Sequence, residues 1–184
     1  NDSFIGNIGY KIDDNLRFEN SFRLSNSYFE YDEVNKATND NDTSTENLEG
    51  SVSLKLIHEK DKFKNEFSYN KLHIERNTTS NVTAKSNYFG YRDALNYLGE
   101  YNFSLDNKIV YGIDSEFDAA RYYKGSAGYG TADTTHDESI ISQYFDLQFR
   151  PGEKIYSSFG VRSDDHTTAG RKTSGRGTLA YKLN

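Results

Sequence analysis

The residues best suited to chemistry here fall into three groups. Six acids, Glu30, Asp32, Glu33, Asp40, Asp42 and Glu46, crowd into the run EYDEVNKATNDNDTSTE. Carboxylates at this density suit a hard cation such as calcium, with Asp32, Asp40 and Asp42 as candidate ligands. Asn39-Asp40-Asn41-Asp42 lacks the spacing and turn glycine of an EF-hand loop, so the plain alternative is a solvated acidic loop. The second group is the glycine-rich, aromatic stretch Tyr122 to His136, YYKGSAGYGTADTTH, where Tyr122, Tyr123 and Tyr129 offer stacking surfaces for a bulky ligand or simply belong to a flexible loop. Gly125, Gly128 and Gly130 do not open a helix after a strand, as a dinucleotide site requires. The third group is a set of full charges at alternate positions: Arg17, Arg23, Asp114, Glu116, Asp118, Arg150, Arg162 and Asp164. His58, His73, His136 and His166 stand far apart, without metal-ligand spacing. The chain has no Cys and no G-x-S-x-G elbow, and no Ser–His arrangement stands out. We expect no enzyme.

Alternation is what positions these charges. In Tyr144 to Lys182, Phe145, Leu147 and Phe149 share one face, with Tyr144, Asp146, Gln148 and Arg150 on the other. Period two is the strand signal. Pro151-Gly152-Glu153 turns the chain. Ile155, Phe159 and Val161 then oppose Tyr156, Ser158, Gly160, Arg162 and Asp164; after a polar loop from Asp165 to about Lys172, Leu179, Tyr181 and Leu183 oppose Arg176, Thr178 and Lys182. Upstream, Phe4 to Ile12 reads as a short strand and Leu16 to Tyr31 as a long one, well beyond the usual 5–6 or so residues. Strands around Val52–Leu56, Phe63–Asn70, Tyr88–Ser104 and Ile109–Asp118 follow, with a slip of phase near Leu72 to Ile74 that reads as a bulge. We expect an all-β, antiparallel up-and-down meander of about nine long strands.

Short turns near residues 14, 60, 106 and 152 recur about every 46 residues, a spacing that reads as hairpin periodicity rather than a repeat array. The other connections read as longer polar loops: Glu33 to about Asn47, Arg76 to Lys85, Tyr122 to His136. Short turns at one end and longer loops at the other are the arrangement of an outer-membrane barrel, whose apolar face meets lipid and whose polar face lines a wet lumen. Tyr28, Tyr31, Tyr88 and Tyr91, near strand ends, then form an interfacial girdle. A soluble β-sandwich, with the Phe/Leu face buried against a second sheet, stays open as the alternative. Aromatic residues make up 15% of the chain, all Tyr and Phe. No run of about 20 apolar residues is present for a spanning helix, which leaves a barrel possible. The net charge of −6 argues against nucleic acid, whose phosphates need a basic footprint. A mean hydropathy of −0.88 is low for a membrane protein, although half of each barrel strand faces water.

Gly160-Val161-Arg162-Ser163-Asp164-Asp165-His166, then Gly170-Arg171, then Leu179-Ala180-Tyr181-Lys182-Leu183 resembles the middle of the barrel of TonB-dependent outer-membrane receptors, where a G-x-R-x-D-D-H/N strand leads through a Gly-bearing loop to a strand ending in aromatic–x–Leu/Phe. Tyr111-Gly112-Ile113-Asp114-Ser115-Glu116-Phe117 resembles another strand of that family. Within it, RSDDHTTAGRK is most similar to the vitamin B12 (cobalamin) receptors. The resemblance is clear over about Tyr97 to Asn184 and rests on strand order alone before that.

The resemblance implies a plugged barrel of about 22 strands, of which residues 1–184 would be one part, without plug domain or C-terminal strands and with two open sheet edges. It implies energised import of a scarce bulky nutrient, cobalamin first, with a siderophore or haem receptor of the same superfamily as the alternative. The expected partners are outer-membrane lipid, the TonB complex through the plug segment, and cobalamin or an iron chelate. The eight alternating charges would face the lumen and plug, or simply pair across neighbouring strands. Calcium in the outer loops is the only cofactor implied. From another class, a small complete adhesin or enzyme barrel would need its first and last strands joined.

Overall fold

The computed structural model describes residues 1–31, 43–80, 85–126 and 130–183. They form one antiparallel sheet in the order β1-β2-β3-β4-β5-β6-β7-β8-β9, with every strand beside its sequence neighbours. The strands are β1 (Asp2–Lys11), β2 (Leu16–Tyr31), β3 (Thr43–Lys60), β4 (Phe63–Ser80), β5 (Ser86–Ser104), β6 (Asn107–Ser126), β7 (Gly130–Phe149), β8 (Ile155–His166) and β9 (Gly170–Tyr181). β1 and β9 do not pair with each other, so the sheet is open. The sequence expectation of an all-β meander of nine long strands holds.

Local chemistry sets the turns. Asp13 Oδ1 accepts hydrogen bonds from the backbone N–H groups of Asn15 (2.7 Å) and Leu16 (2.9 Å), closing the β1–β2 turn. Asp61, with φ 54°, supplies the left-handed residue of the β3–β4 turn. Gly170, with φ 74°, lets the chain enter β9 from the β8–β9 turn.

The register sorts the side chains onto two faces. Tyr10, Phe18, Leu56, Phe67, Tyr97 and Ile113 lie level across six strands. Aromatic neighbours on this face touch: Phe67–Tyr97 and Phe63–Tyr101 have ring centroids 4.6 Å apart. Among the described residues nothing packs over it, and Phe4, Phe67, Leu95 and Phe159 are all about half exposed or more. The buried side chains, Thr43, Thr45, Ile57, Ala94, Ser142 and Asp146, all belong to the opposite, polar face. A curled sheet crowds its concave side, so the polar face is the inner one. The soluble-sandwich alternative is overturned, because among the described residues no second layer buries the Phe/Leu face. The small closed barrel fails with it, since the first and last strands do not join.

On the outer face the apolar stretches run from Leu16 to Leu24, Leu48 to Leu56, Ile109 to Phe117 and Ile141 to Phe149. Each matches the roughly 9–11 residues that a tilted strand needs to cross a bilayer. The stretches slide toward the short-turn end from β2 to β9. Leu24, inside the band on β2, is level with Gly50, His73, Tyr91, Ala119 and, on β7, Asp137, which is outside it. Such a drift is what tilted, sheared strands of a barrel produce.

Three expectations need correction. Strand reaches into the stretches expected to be long loops: β3 already begins at Thr43, β4 runs to Ser80, and within Tyr122 to His136 β6 runs to Ser126 and β7 begins at Gly130, the two paired with each other. The polar loop Asp165 to Lys172 likewise shrinks to Thr167–Ala169. What alternates is how far each hairpin rises past the apolar band. The bulge near Leu72 to Ile74 does not exist, since β4 keeps unbroken register with β3 and β5 there. The phase inverts because β4 leaves the apolar band: Lys71, His73 and Glu75 take the outer face and Leu72 and Ile74 the inner. The ladder's irregularity is instead at Asn102/Ser104. Finally, the tyrosine girdle is split. Tyr28 and Tyr91 face outward, but Tyr31 and Tyr88 sit on the inner face.

Candidate functional site: the inner wall and its mouth

The inner face carries ion pairs that tie strands together. Lys55 binds Glu66 across β3–β4 (2.8 Å), and Lys108 binds Glu100 across β5–β6 (3.1 Å). Arg92 on β5 reaches Asp118 (2.6 Å) and Glu116 (3.4 Å) on β6. Arg162 on β8 grips Asp164 on its own strand (2.8 Å) and spans β7 to Asp114 (3.3 Å), with its guanidinium 5.6 Å from the Tyr144 ring centre. Arg176 on β9 likewise crosses β8 to Asp146 on β7 (2.9 Å). Gly160 makes that reach possible, because a Cβ there would lie 2.6 Å from Asp146 Oδ2 and 3.2 Å from Arg176 Nε.

The eight charges singled out in the sequence therefore divide. Asp114, Asp164 and Arg162 form one cluster, while Glu116 and Asp118 share Arg92. Arg17 pairs with Glu19 on its own strand (2.8 Å). Arg23 makes no ion pair among the described residues and lines a recess of about 410 Å³ with Ile5, Ser21, Ser51 and Leu72. Arg150 leaves the wall: it pairs with Asp106 (3.1 Å), donates to the carbonyls of Gly152 and Glu153, and covers the Tyr156 ring at the β7–β8 turn. Arg92 was missed, although its parity with Leu95 placed it on the inner face. Alternation places Asp146 and Arg176 on the polar face but does not show that they pair.

Past the apolar band the inner face changes character. Tyr122 stands opposite Tyr88. Phe29 and Tyr31 stack at 6.0 Å on β2. Between these aromatic pairs lie Thr45, hydrogen-bonded to Thr78 (3.0 Å), and Asn47, whose Oδ1 accepts from Arg76 Nε (2.8 Å). This mouth offers flat aromatic surfaces beside hydroxyls, amides and the Arg76 guanidinium, which makes no ion pair among the described residues, a set suited to a planar, oxygen-rich ligand. Of the three tyrosines expected to bind ligand, Tyr122 faces this mouth, Tyr123 faces outward, and Tyr129 lies outside the described residues. The calcium candidates Asp32, Asp40 and Asp42 also lie outside them.

Two histidines that are distant in sequence meet here. His136 Nε2 is 3.4 Å and His166 Nε2 3.6 Å from Glu138 Oε2. His166 Nδ1 accepts from the N–H groups of Thr168 (3.1 Å) and Ala169 (3.2 Å), which leaves the proton on Nε2 facing Glu138. Outside, near the hairpin tip, Arg121 grips Asp133 with two hydrogen bonds (3.0 and 2.6 Å) and holds its carboxyl below the usual carboxylate range.

No protein-family model matches this chain, and no curated protein matches it. Among solved structures, the siderophore receptor PirA from Acinetobacter baumannii superposes with a TM-score of 0.76 at 13% identity, over 99% of this chain and 31% of the receptor. The translocator domain of the autotransporter NalP from Neisseria meningitidis gives a TM-score of 0.45 at 12% identity, over 96% of this chain and 64% of that domain. The second likeness is too loose to carry an argument. The chain spans about a third of the length of the receptor it matches. The chain is thus an open nine-stranded wall with the fold of a stretch of that receptor's barrel.

Proposed function

We propose that this chain is part of the barrel wall of a TonB-dependent receptor in the bacterial outer membrane and serves the energised uptake of a scarce, bulky nutrient. The observation that carries the reading is the pairing of two faces on one sheet. A partly to largely exposed aromatic and aliphatic band of bilayer width backs an inner face whose charges are mostly paired with one another. Lipid satisfies the first face and a water-filled or plugged lumen the second. The bilayer lipid is one partner, and the TonB complex, acting through a plug, is another. No catalytic role and no nucleic-acid partner belong to this reading.

Two substrates compete. Cobalamin is supported by the resemblance of RSDDHTTAGRK to its receptors, with calcium ordering the acidic stretch around Asp32, Asp40 and Asp42. An iron chelate is supported by the siderophore receptor's shared fold and by the inner mouth, where Tyr88, Tyr122, Phe29 and Arg76 suit a flat anionic chelate. The RSDDHTTAGRK residues are largely engaged within their own hairpin and with β6 and β7: Arg171 pairs with Asp165 (2.9 Å), and His166 caps its turn. That engagement favours the chelate.

Titration of the chain in detergent with cyanocobalamin and with a ferric catechol chelate, read by tyrosine fluorescence, tests this. Saturable binding of either, abolished in Tyr88→Ala/Tyr122→Ala, supports the receptor reading and identifies the substrate. Binding of neither, or binding indifferent to both tyrosines, counts against it.

A further inference from the structure

The sheet has a step in it. β6 and β7 rise together to Ser126 and Gly130, but β8 pairs with β7 only from Ile140 to Phe149. The β8–β9 hairpin ends at Thr167, whose N–H donates to Ser139 O (3.0 Å) and whose Oγ1 accepts from Ser139 N–H (3.1 Å). Ser139 thus turns its backbone groups toward β8. Backbone direction alternates along a strand, so Asp137, Thr135 and Asp133 point the same way, with no strand opposite among the described residues. Thr134 and His136 turn theirs toward β6. The step depends only on β7 and β8, so it exists whatever strands flank the sheet.

This edge is exposed and one-signed. Gly130 to Ser139 contains Asp133, Asp137 and Glu138 and no Lys or Arg. Asp133 is neutralised by Arg121, and Glu138 faces the two histidines, but Asp137 makes no ion pair among the described residues. Charged edges repel unwanted strands. Carboxylates repel acidic or identical strands and leave a basic one free to pair.

We propose that the upper edge of β7, Asp133 to Asp137, is a docking site for an extended, cationic segment of a partner protein, which adds to the sheet as a strand. Main-chain hydrogen bonds to Asp133, Thr135 and Asp137 supply the affinity, and Asp137 and Glu138 select basic side chains. A second copy's β7 would bring like charges together, and the chain's own acidic stretch around Asp40 is excluded for the same reason.

Hydrogen exchange on the full chain in detergent tests this, with a ten-residue Lys-Thr alternating peptide as the probe and its Glu-Thr counterpart as control. Saturating Lys-Thr peptide should slow exchange of the Asp133, Thr135 and Asp137 amides about 10-fold or more, leaving Thr134 and His136 nearly unchanged. Thr135→Pro removes one outward N–H without touching the β6 ladder and should abolish the effect. Should that variant misfold, Asp137→Lys/Glu138→Lys leaves the backbone intact and should weaken peptide binding about 10-fold or more. Equal binding of the acidic peptide, protection elsewhere, no protection, or binding indifferent to both variants would overturn the proposal. So would protection of the same amides by self-association without peptide.

Discussion

On the outer face of β5 and β6, Tyr97, Tyr101, Ile109 and Ile113 touch only neighbours on the same face, such as Phe63 and Phe67 of β4, and no second layer among the described residues covers them. On the inner face of the same two strands, Lys108 holds Glu100 and Arg92 holds Asp118. The outer side chains have no protein partner to bury them, so their stabilisation must come from the solvent they face. Those inside have satisfied each other already. One sheet therefore needs two solvents, and the difference between its faces can be tested residue by residue.

The largest contrast comes from putting the same charge on each face at the same height. Ile113→Arg on the outer band should cost about 2–4 kcal/mol of folding stability in lipid vesicles, measured by urea titration. Asn96→Arg, on the inner face one residue away in register and opposite Asp114, should change stability by less than about 1 kcal/mol. Equal effects would break the comparison. Next comes packing on the inner wall. Tyr144 lies across Gly112, where a Cβ would stand 2.3 Å from the Tyr144 hydroxyl and 2.4 Å from the Tyr97 carbonyl oxygen. Gly112→Val should cost about 1–3 kcal/mol in the same titration.

Smaller effects separate one ion pair from another. Arg176→Ala leaves the largely buried Asp146 with Gln148 Nε2 as its remaining side-chain donor among the described residues and should cost about 1 kcal/mol. Arg162→Ala, whose partners Asp114 and Asp164 are wetter, should cost less than that. The smallest effect is at the hairpin tip. Because Arg121 lowers the Asp133 carboxyl in the folded state, the pair contributes above the carboxylate's ordinary range and is lost as pH falls through its lowered value. Amide exchange at the tip, corrected for intrinsic rates, should be flat from neutral pH down to the carboxylate range and rise below it, and Asp133→Asn should remove the rise.

The sequence was most legible along the exposed apolar band. Leu16 to Tyr31 was read with the bounds β2 has, because the apolar band imposes strict alternation. Tyr122 to His136 reads as loop in the sequence because strand beyond the apolar band has no apolar face to keep. Nothing then forces alternation, and glycines and threonines look like loop. Parity placed Arg92, Arg162 and Asp114 on one face, but no local signal gives their partners. Asp114 to Arg162 spans 48 residues and depends on the register of three strands. The meeting of His136 and His166 at Glu138 was invisible for the same reason.

The central claim is that the aromatic face meets lipid and the charged face meets water. The chain contains no cysteine, so any one introduced is unique. Single spin labels along β6, at positions 109 to 117 in lipid vesicles, should show a period of two: oxygen accessibility peaks at Ile109, Tyr111, Ile113, Ser115 and Phe117, and a polar nickel chelate peaks at Val110, Gly112, Asp114 and Glu116. Alternation in the opposite phase, or no alternation at all, would contradict the account.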